Sequence, residues 1–157
     1  MVRYTWKVPA VSGWSAADVP DQAGRTVLVT GANSGLGLRT AMVLAGRGAT
    51  VLMACRDPQR GQAAVDRVRA KSGRADATLI QLDLADLTSV RKAADEVRAI
   101  TGDRLDVLVN NAGVMASPPR LTVDGFELQI GTNHLGHVAL TWLLAPALQP
   151  GALRQSP

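Results

Sequence analysis

Thr26-Val27-Leu28-Val29-Thr30-Gly31-Ala32-Asn33-Ser34-Gly35-Leu36-Gly37 is a short β-branched run that breaks into three glycines at i, i+4 and i+6. The next segment, about Leu36 to Arg47, carries helical character. A strand, a glycine turn and a helix in that order make a cradle for phosphate. Gly31 lets the chain reverse where the strand ends. Gly35 lets the backbone approach a pyrophosphate with no Cβ in the way, and Gly37 lets the new helix pack closely on the sheet. Asn33, Ser34 and Leu36 complete the turn. The N–H groups at the helix start, at the positive end of its dipole, face the anion. A tight strand–helix turn without a ligand is the competing reading. The turn's position between strand and helix favours nucleotide binding.

The same alternation continues along the chain. A second strand is expected over Thr50–Ala54, ending at Cys55-Arg56, and Asp57-Pro58 caps and starts a helix to about Lys71. That helix carries a narrow apolar stripe of Ala64, Val65 and Val68. A third strand covers Ala77–Leu82. The next helix opens near Asp86–Ser89 and carries Leu87, Val90, Ala94, Val97 and Ile100 at helical spacing. The fourth strand is Leu105–Val109. A long apolar helix then runs roughly from Gly125 to Leu148, interrupted by Gly131 and Gly136 and bent or stopped at Pro146. Residues 1–24 read as an arm with Trp6 and Trp14 docking it, residues 25–150 as the domain, and residues 151–157 as an irregular tail. Strand–helix alternation with short links means an α/β fold, a doubly wound parallel sheet of order 3-2-1-4. The ligand crevice then lies where the order reverses, at the carboxyl ends of strands 1 and 4.

One further motif falls at that crevice, Asn110-Asn111-Ala112-Gly113 after strand 4, and another, Thr132-Asn133-His134-Leu135-Gly136-His137, lies in the long helix. With Thr30-Gly-x-x-x-Gly-x-Gly, they resemble the short-chain dehydrogenase/reductase family, closest to its retinol-dehydrogenase-like members. The resemblance covers about residues 20–151. Sugar-nucleotide epimerases space their glycines differently and lack Asn-Asn-Ala-Gly. The resemblance implies a Rossmann-type fold, NAD(P) as cofactor, and alcohol, aldehyde or ketone substrates interconverted by hydride transfer. It makes Asp83 the contact to the adenine amino group, with Leu84 beside the ring; a turn or helix-capping aspartate is the equal alternative. It gives Asn110, Ala112 and Gly113 a double task, supporting the sheet and lying against the cofactor ribose. It makes Asn133 the helper of the active site, holding a break in its helix and positioning a lysine through water.

Coenzyme choice is read at the tip of the second strand. An NAD site places a carboxylate there for the 2′-hydroxyl, whereas a 2′-phosphate calls for arginine. Here Arg56 is in reach, Asn33 and Ser34 offer donors, and Asp57 is spoken for as the helix cap. NADP is favoured over NAD, against the alternative that Arg56 is simply solvated. His134 and His137 stand three apart, but no carboxylate or cysteine accompanies them, so packing and polar contacts to the sheet are expected rather than a metal. Cys55 reads as a core or strand-end residue.

The catalytic partners that the resemblance requires, a serine and a Tyr-x-x-x-Lys pair, do not occur in these 157 residues; Tyr4 is the one tyrosine. The expectation is a cofactor-binding part of the fold that does not turn over alone, arising from a fragment, a truncation or a frameshift. A non-catalytic nucleotide-binding module is the alternative. Without a fifth strand, strand 4 becomes an apolar edge, and self-association is expected. Composition narrows the partners. The 17 basic and 13 acidic residues give a net charge of +4 spread over helix surfaces, and aromatics are only 3%, which argues against nucleic acid. No apolar run reaches the length of a membrane span. A single cysteine and the absence of an apolar leader core fit the cytoplasm.

Overall fold

The computed structural model describes residues 13–72 and 77–153. Four parallel strands, β1 (Thr26–Thr30), β2 (Thr50–Cys55), β3 (Ala77–Gln81) and β4 (Val107–Val109), lie in the order β3-β2-β1-β4. The expected order is therefore the observed one. Helices α1 (Gly35–Gly46), α2 (Pro58–Ser72) and α3 (Leu87–Thr101) follow the first three strands. After β4 come a single turn α4 (Leu128–Ile130), a π-helical segment Gly131–Leu135, and α5 (Gly136–Leu153).

Alternation within the strands sorts the core into two halves, because successive side chains point to opposite faces. Val27, Val29, Val51 and Met53 face α1 and α2, meeting Leu38, Ala41, Ala45, Val65 and Val68. Leu28, Leu52, Ala54 and Ile80 face α3 and α5, meeting Val90, Ala94, Val97, Leu140 and Leu144. Both faces of β1 and β2 are buried, which is why these strands read as continuous apolar runs. The cap of α2 is the one read from the sequence, and α3 opens at Asp86 within the expected Asp86–Ser89 stretch. Asp57 accepts from the Arg60 N–H at 3.0 Å, and Asp86 accepts from Thr88 and Ser89.

Several expectations are corrected. Ile100 is 49% exposed and lies outside the buried stripe of α3. β4 is shorter than Leu105–Val109, because the Leu105 N–H turns to the Ala147 carbonyl at 2.9 Å and not to a neighbouring strand. The long helix does not begin at Gly125. That residue has φ +83° and sits in a tight loop in which the Thr122 N–H bonds the Phe126 carbonyl and Leu121 bridges Glu127. Pro146 does not stop α5, which continues to Leu153, so residues 151–153 of the expected tail are helical. The missing proline N–H removes only the bond to Trp142, and Trp142 lies on the solvent side of the helix, where water can take that carbonyl. Trp14 does not dock the arm, being 70% exposed. Gln22 does, through its buried side chain and the bond from its N–H to Arg47 O, and the Arg47 guanidinium reaches back to the Ala16 and Ala17 carbonyls. Tyr4 and Trp6 lie outside the described residues. No helix among the described residues is long and apolar enough to cross a membrane.

Candidate functional site

A cleft of about 490 Å³ opens at the carboxyl ends of the strands. It is lined by Thr30, Gly31, Asn33, Ser34 and Leu36 of the turn, by the β2 tip with Arg56, Asp57 and Arg60, by Leu82–Leu84, and by Asn111–Val114. All four segments follow the carboxyl ends of strands β1 to β4, as the parallel topology dictates.

The glycine turn is shaped by contact as much as by torsion. Gly31 has φ +65°, and a Cβ there would lie 2.9 Å from Ala112 Cα. A Cβ on Gly37 would collide with the Asn111 side-chain amide and the Gly31 carbonyl. Its packing partner is therefore the turn and the 111–112 loop more than the sheet face. Gly35 differs from both: φ is +53° and no atom lies within 4 Å of its would-be Cβ, so its backbone faces open space. Ser34 begins α1 without a side-chain cap. The first-turn N–H groups, which have no partner within the helix, are left for an anion. A bare backbone at Gly35, uncapped donors and a guanidinium rim form a cradle with the right chemistry for a dinucleotide phosphate.

Arg56 and Arg60 lie four residues apart across the start of α2 and both line the cleft. Among the described residues neither guanidinium is engaged by another side chain. Arg60, on the first turn of α2, is a cleft residue that the sequence analysis does not single out. Its spacing from Arg56 across a helix N-terminus was the available signal. Asp57 also lines the rim, but its Oδ1 holds the Arg60 N–H.

Asp83 makes an aspartate turn, its Oδ1 accepting from Ala85 N–H at 2.9 Å while its own N–H donates to Ser89 Oγ. The helix cap proper is Asp86. Asp83 also lines the cleft beside Leu84, so the turn role and a ligand-facing role are compatible.

The two asparagines after β4 point in different directions. Asn110 lies outside this cleft; its Nδ2 donates to Thr141 Oγ1 on α5 at 3.1 Å. Asn111 is the one in the cleft wall, with Nδ2 on the Thr30 carbonyl at 2.8 Å. Thr30 Oγ1 accepts from the N–H groups of Asn111 and Ala112, both at 2.9 Å. The Asn111–Ala112 backbone is thus held at the cleft floor from behind.

Asn133 sits in the middle of the π segment, where the expected break occurs. Its side chain bonds Val114, and it borders a second cleft of about 480 Å³ with Asn110, His134, His137 and Trp142. His137 is buried and contacts Thr30, a polar link from α5 to the sheet. Cys55 is a buried strand-end residue, and burial pushes its thiol up to about 11.

Residues 25–155 match the family model for short chain dehydrogenase. Human retinol dehydrogenase 13 is 45% identical over 138 residues, covering 88% of this chain and 40% of that protein. Mouse polyprenol dehydrogenase is 49% identical over 131 residues, covering 83% and 39%. Among solved structures, a protein from Mycobacterium paratuberculosis is 57% identical with a TM-score of 0.77, covering 87% of this chain and 47% of that one. The NADP complex of RhlG from Pseudomonas aeruginosa is 31% identical with a TM-score of 0.71, covering 83% and 50%. The chain spans about 40% of the length of these curated relatives. It belongs to the short-chain dehydrogenase family of oxidoreductases, on its retinol-dehydrogenase-like side.

Proposed function

From this membership we propose that the chain is the NADP-binding part of an oxidoreductase that interconverts alcohols with aldehydes or ketones. One observation carries the coenzyme reading: Arg56 and Arg60 converge on the cleft rim beside Asn33 and Ser34. Guanidinium groups match a 2′-phosphate bidentately, and the rim carboxylate beside them, Asp57, already accepts the Arg60 N–H through Oδ1. Asn33, Ser34, Gly35, Leu36 and Gly37 would hold the pyrophosphate, Ala112 and Gly113 the ribose, and Asp83 with Leu84 the adenine. The nicotinamide, when bound, supplies or accepts a hydride. RhlG and a Burkholderia cenocepacia short-chain dehydrogenase, both solved with NADP, support NADP over NAD.

The 157 residues hold no Tyr-x-x-x-Lys pair to move the proton at a carbonyl oxygen. General acid–base assistance is worth about a hundred- to ten-thousandfold. We propose that this chain by itself binds coenzyme without turnover, and that Asn133 acts by holding the cleft wall. Residues 13–24 serve as an arm docked by Gln22 on the domain. The test is binding without chemistry. Titration should give saturable NADPH binding, with no NADPH oxidation against a panel of aldehydes and ketones. Turnover that survives Tyr4→Phe and vanishes with Gly35→Trp would mean that another residue is the acid.

A further inference from the structure

His137 is 6% exposed and both ring nitrogens are committed: Nδ1 lies 3.0 Å from the Asn133 carbonyl, and Nε2 lies 3.0 Å from Thr30 Oγ1. A carbonyl can only accept, so Nδ1 carries the hydrogen. In the neutral ring Nε2 is then the acceptor, and the Thr30 hydroxyl donates to it. This fixes the rest of the hydroxyl. Its two lone pairs are left for the Asn111 and Ala112 N–H groups, each 2.9 Å away. The one competing acceptor for the hydroxyl hydrogen is the Val109 carbonyl, at a long 3.4 Å. Without the imidazole the hydrogen swings toward Val109, and the lone pairs turn away from the two amides.

Those N–H groups belong to the loop that packs on the glycine turn: Ala112 against Gly31, and the Asn111 side chain against Gly37. We propose that His137 is a positioning residue for the nucleotide cleft, acting through the Thr30 hydroxyl on the backbone of Asn111 and Ala112. It does not line that cleft. The imidazole on α5 orients a hydroxyl at the end of β1, and the hydroxyl sets the cleft floor at the end of β4. The effect on nucleotide rests on the NADP reading above; the effect on the loop does not.

Two substitutions separate the two ring contacts. Asparagine at 137 keeps a donor for the Asn133 carbonyl but is too short for Thr30. Glutamine places its amide oxygen near the Nε2 position and can accept from Thr30. Two readouts are taken on the 157-residue chain: amide hydrogen exchange at Ala112, and the dissociation constant for NADPH. His137→Asn should speed exchange at Ala112 while leaving Val29 in β1 protected, and should weaken NADPH binding about three- to tenfold, the worth of one neutral hydrogen bond. His137→Gln should restore both. In a Thr30→Val background, His137→Asn should cost no further affinity. Unchanged exchange at Ala112 in His137→Asn overturns the proposal, as does an equal loss of affinity in the Thr30→Val background. A wild-type chain that binds no NADPH, with the exchange shift still present, overturns the coenzyme reading and leaves the positioning role standing.

Discussion

Asn133 closes a two-bond ring on the backbone of Val114: Oδ1 accepts from the Val114 N–H and Nδ2 donates to the Val114 carbonyl, both at 2.8 Å. The loop leaving β4 is thereby treated as though it had a neighbouring strand, with one side chain standing in for two ladder bonds. The same residue sits in the π segment, so the break in the helix and the end of the cleft wall are fixed together. Asn133→Ala should lower stability by about 1–2 kcal/mol, the net worth of two partly exposed hydrogen bonds. Urea unfolding measures it. Asn133→Asp should be no better, because a carboxylate meets the Val114 carbonyl with repulsion. An aspartate variant as stable as wild type would show that the Nδ2 bond contributes nothing.

Coenzyme discrimination should follow the guanidinium pair. Arg56→Glu should weaken NADPH binding on the order of ten- to a hundredfold, by loss of a charge-assisted contact, and should raise the relative affinity for NADH. Arg60→Glu should do the same to a smaller degree. Titration of each variant with both coenzymes tests this. Equal affinities for NADPH and NADH, untouched by either change, would remove the case for a 2′-phosphate site.

Two glycines in α1 should respond in opposite directions. At Gly37 a methyl group meets the Asn111 amide and the Gly31 carbonyl, neither of which can retreat. Gly37→Ala should cost about 1–3 kcal/mol and abolish coenzyme binding. At Gly46 nothing lies within 4 Å of a Cβ, and alanine is the better helix former. Gly46→Ala should add about 0.5–1 kcal/mol and leave binding alone. Thermal melts of the two proteins side by side decide it.

What the sequence made legible was what local chemistry controls. The β-branched runs, the Asp57-Pro58 cap and the three glycines are each set by residues within a turn of one another, and they led to the strand order. What it hid depends on contacts across tens of residues. Asn110 and Asn111 are indistinguishable in sequence, yet the strand's pleat sends one to α5 and the other to the cleft. Leu105 satisfies every strand preference, but Ala147 on α5 captures its N–H. The polar contact of His137 to the sheet is as expected, but its partner Thr30 lies 107 residues away and leaves no spacing signal. Trp14 shows the converse error, in which a large apolar residue was expected to dock and a buried glutamine does so in its place.

The Cys55 thiol links stability to alkaline pH. Burial lifts it to about 11, above the ordinary thiol range, although the N–H groups of Ala32 and Asn33 pull the other way. The unfolded chain therefore loses this proton at a lower pH than the folded one. The contribution is fully present below the unfolded value near 9 and is lost as pH rises toward 11. Folded protein at pH 8 should resist iodoacetamide, and the melting temperature should fall between pH 9 and 11. Cys55→Ala should flatten that part of the profile. Rapid alkylation at pH 8 in the folded state would place the thiol at the surface.

Among the described residues β4 pairs only with β1, so one side of Val107-Leu108-Val109 presents open N–H and C=O groups. On the same flank, Val138 and Trp142 of α5 are 52% and 80% exposed, while Leu140 and Leu144 on the opposite side of that helix are fully buried. An unpaired edge beside an apolar helix face is a template for association. The nearby carboxylate of Asp106 is turned inward to the Thr26 N–H at 2.8 Å and cannot act as an outward-facing gatekeeper. The 157-residue chain should therefore self-associate. Size-exclusion chromatography with light scattering should show concentration-dependent species larger than a monomer, and Val138→Lys with Trp142→Glu should shift them toward the monomer without lowering the melting temperature. If wild type elutes as a sharp monomer at all concentrations and melts cooperatively above about 45 °C, the lower range for ordinary domains, the edge is protected by some other means and this account of the exposed face is wrong.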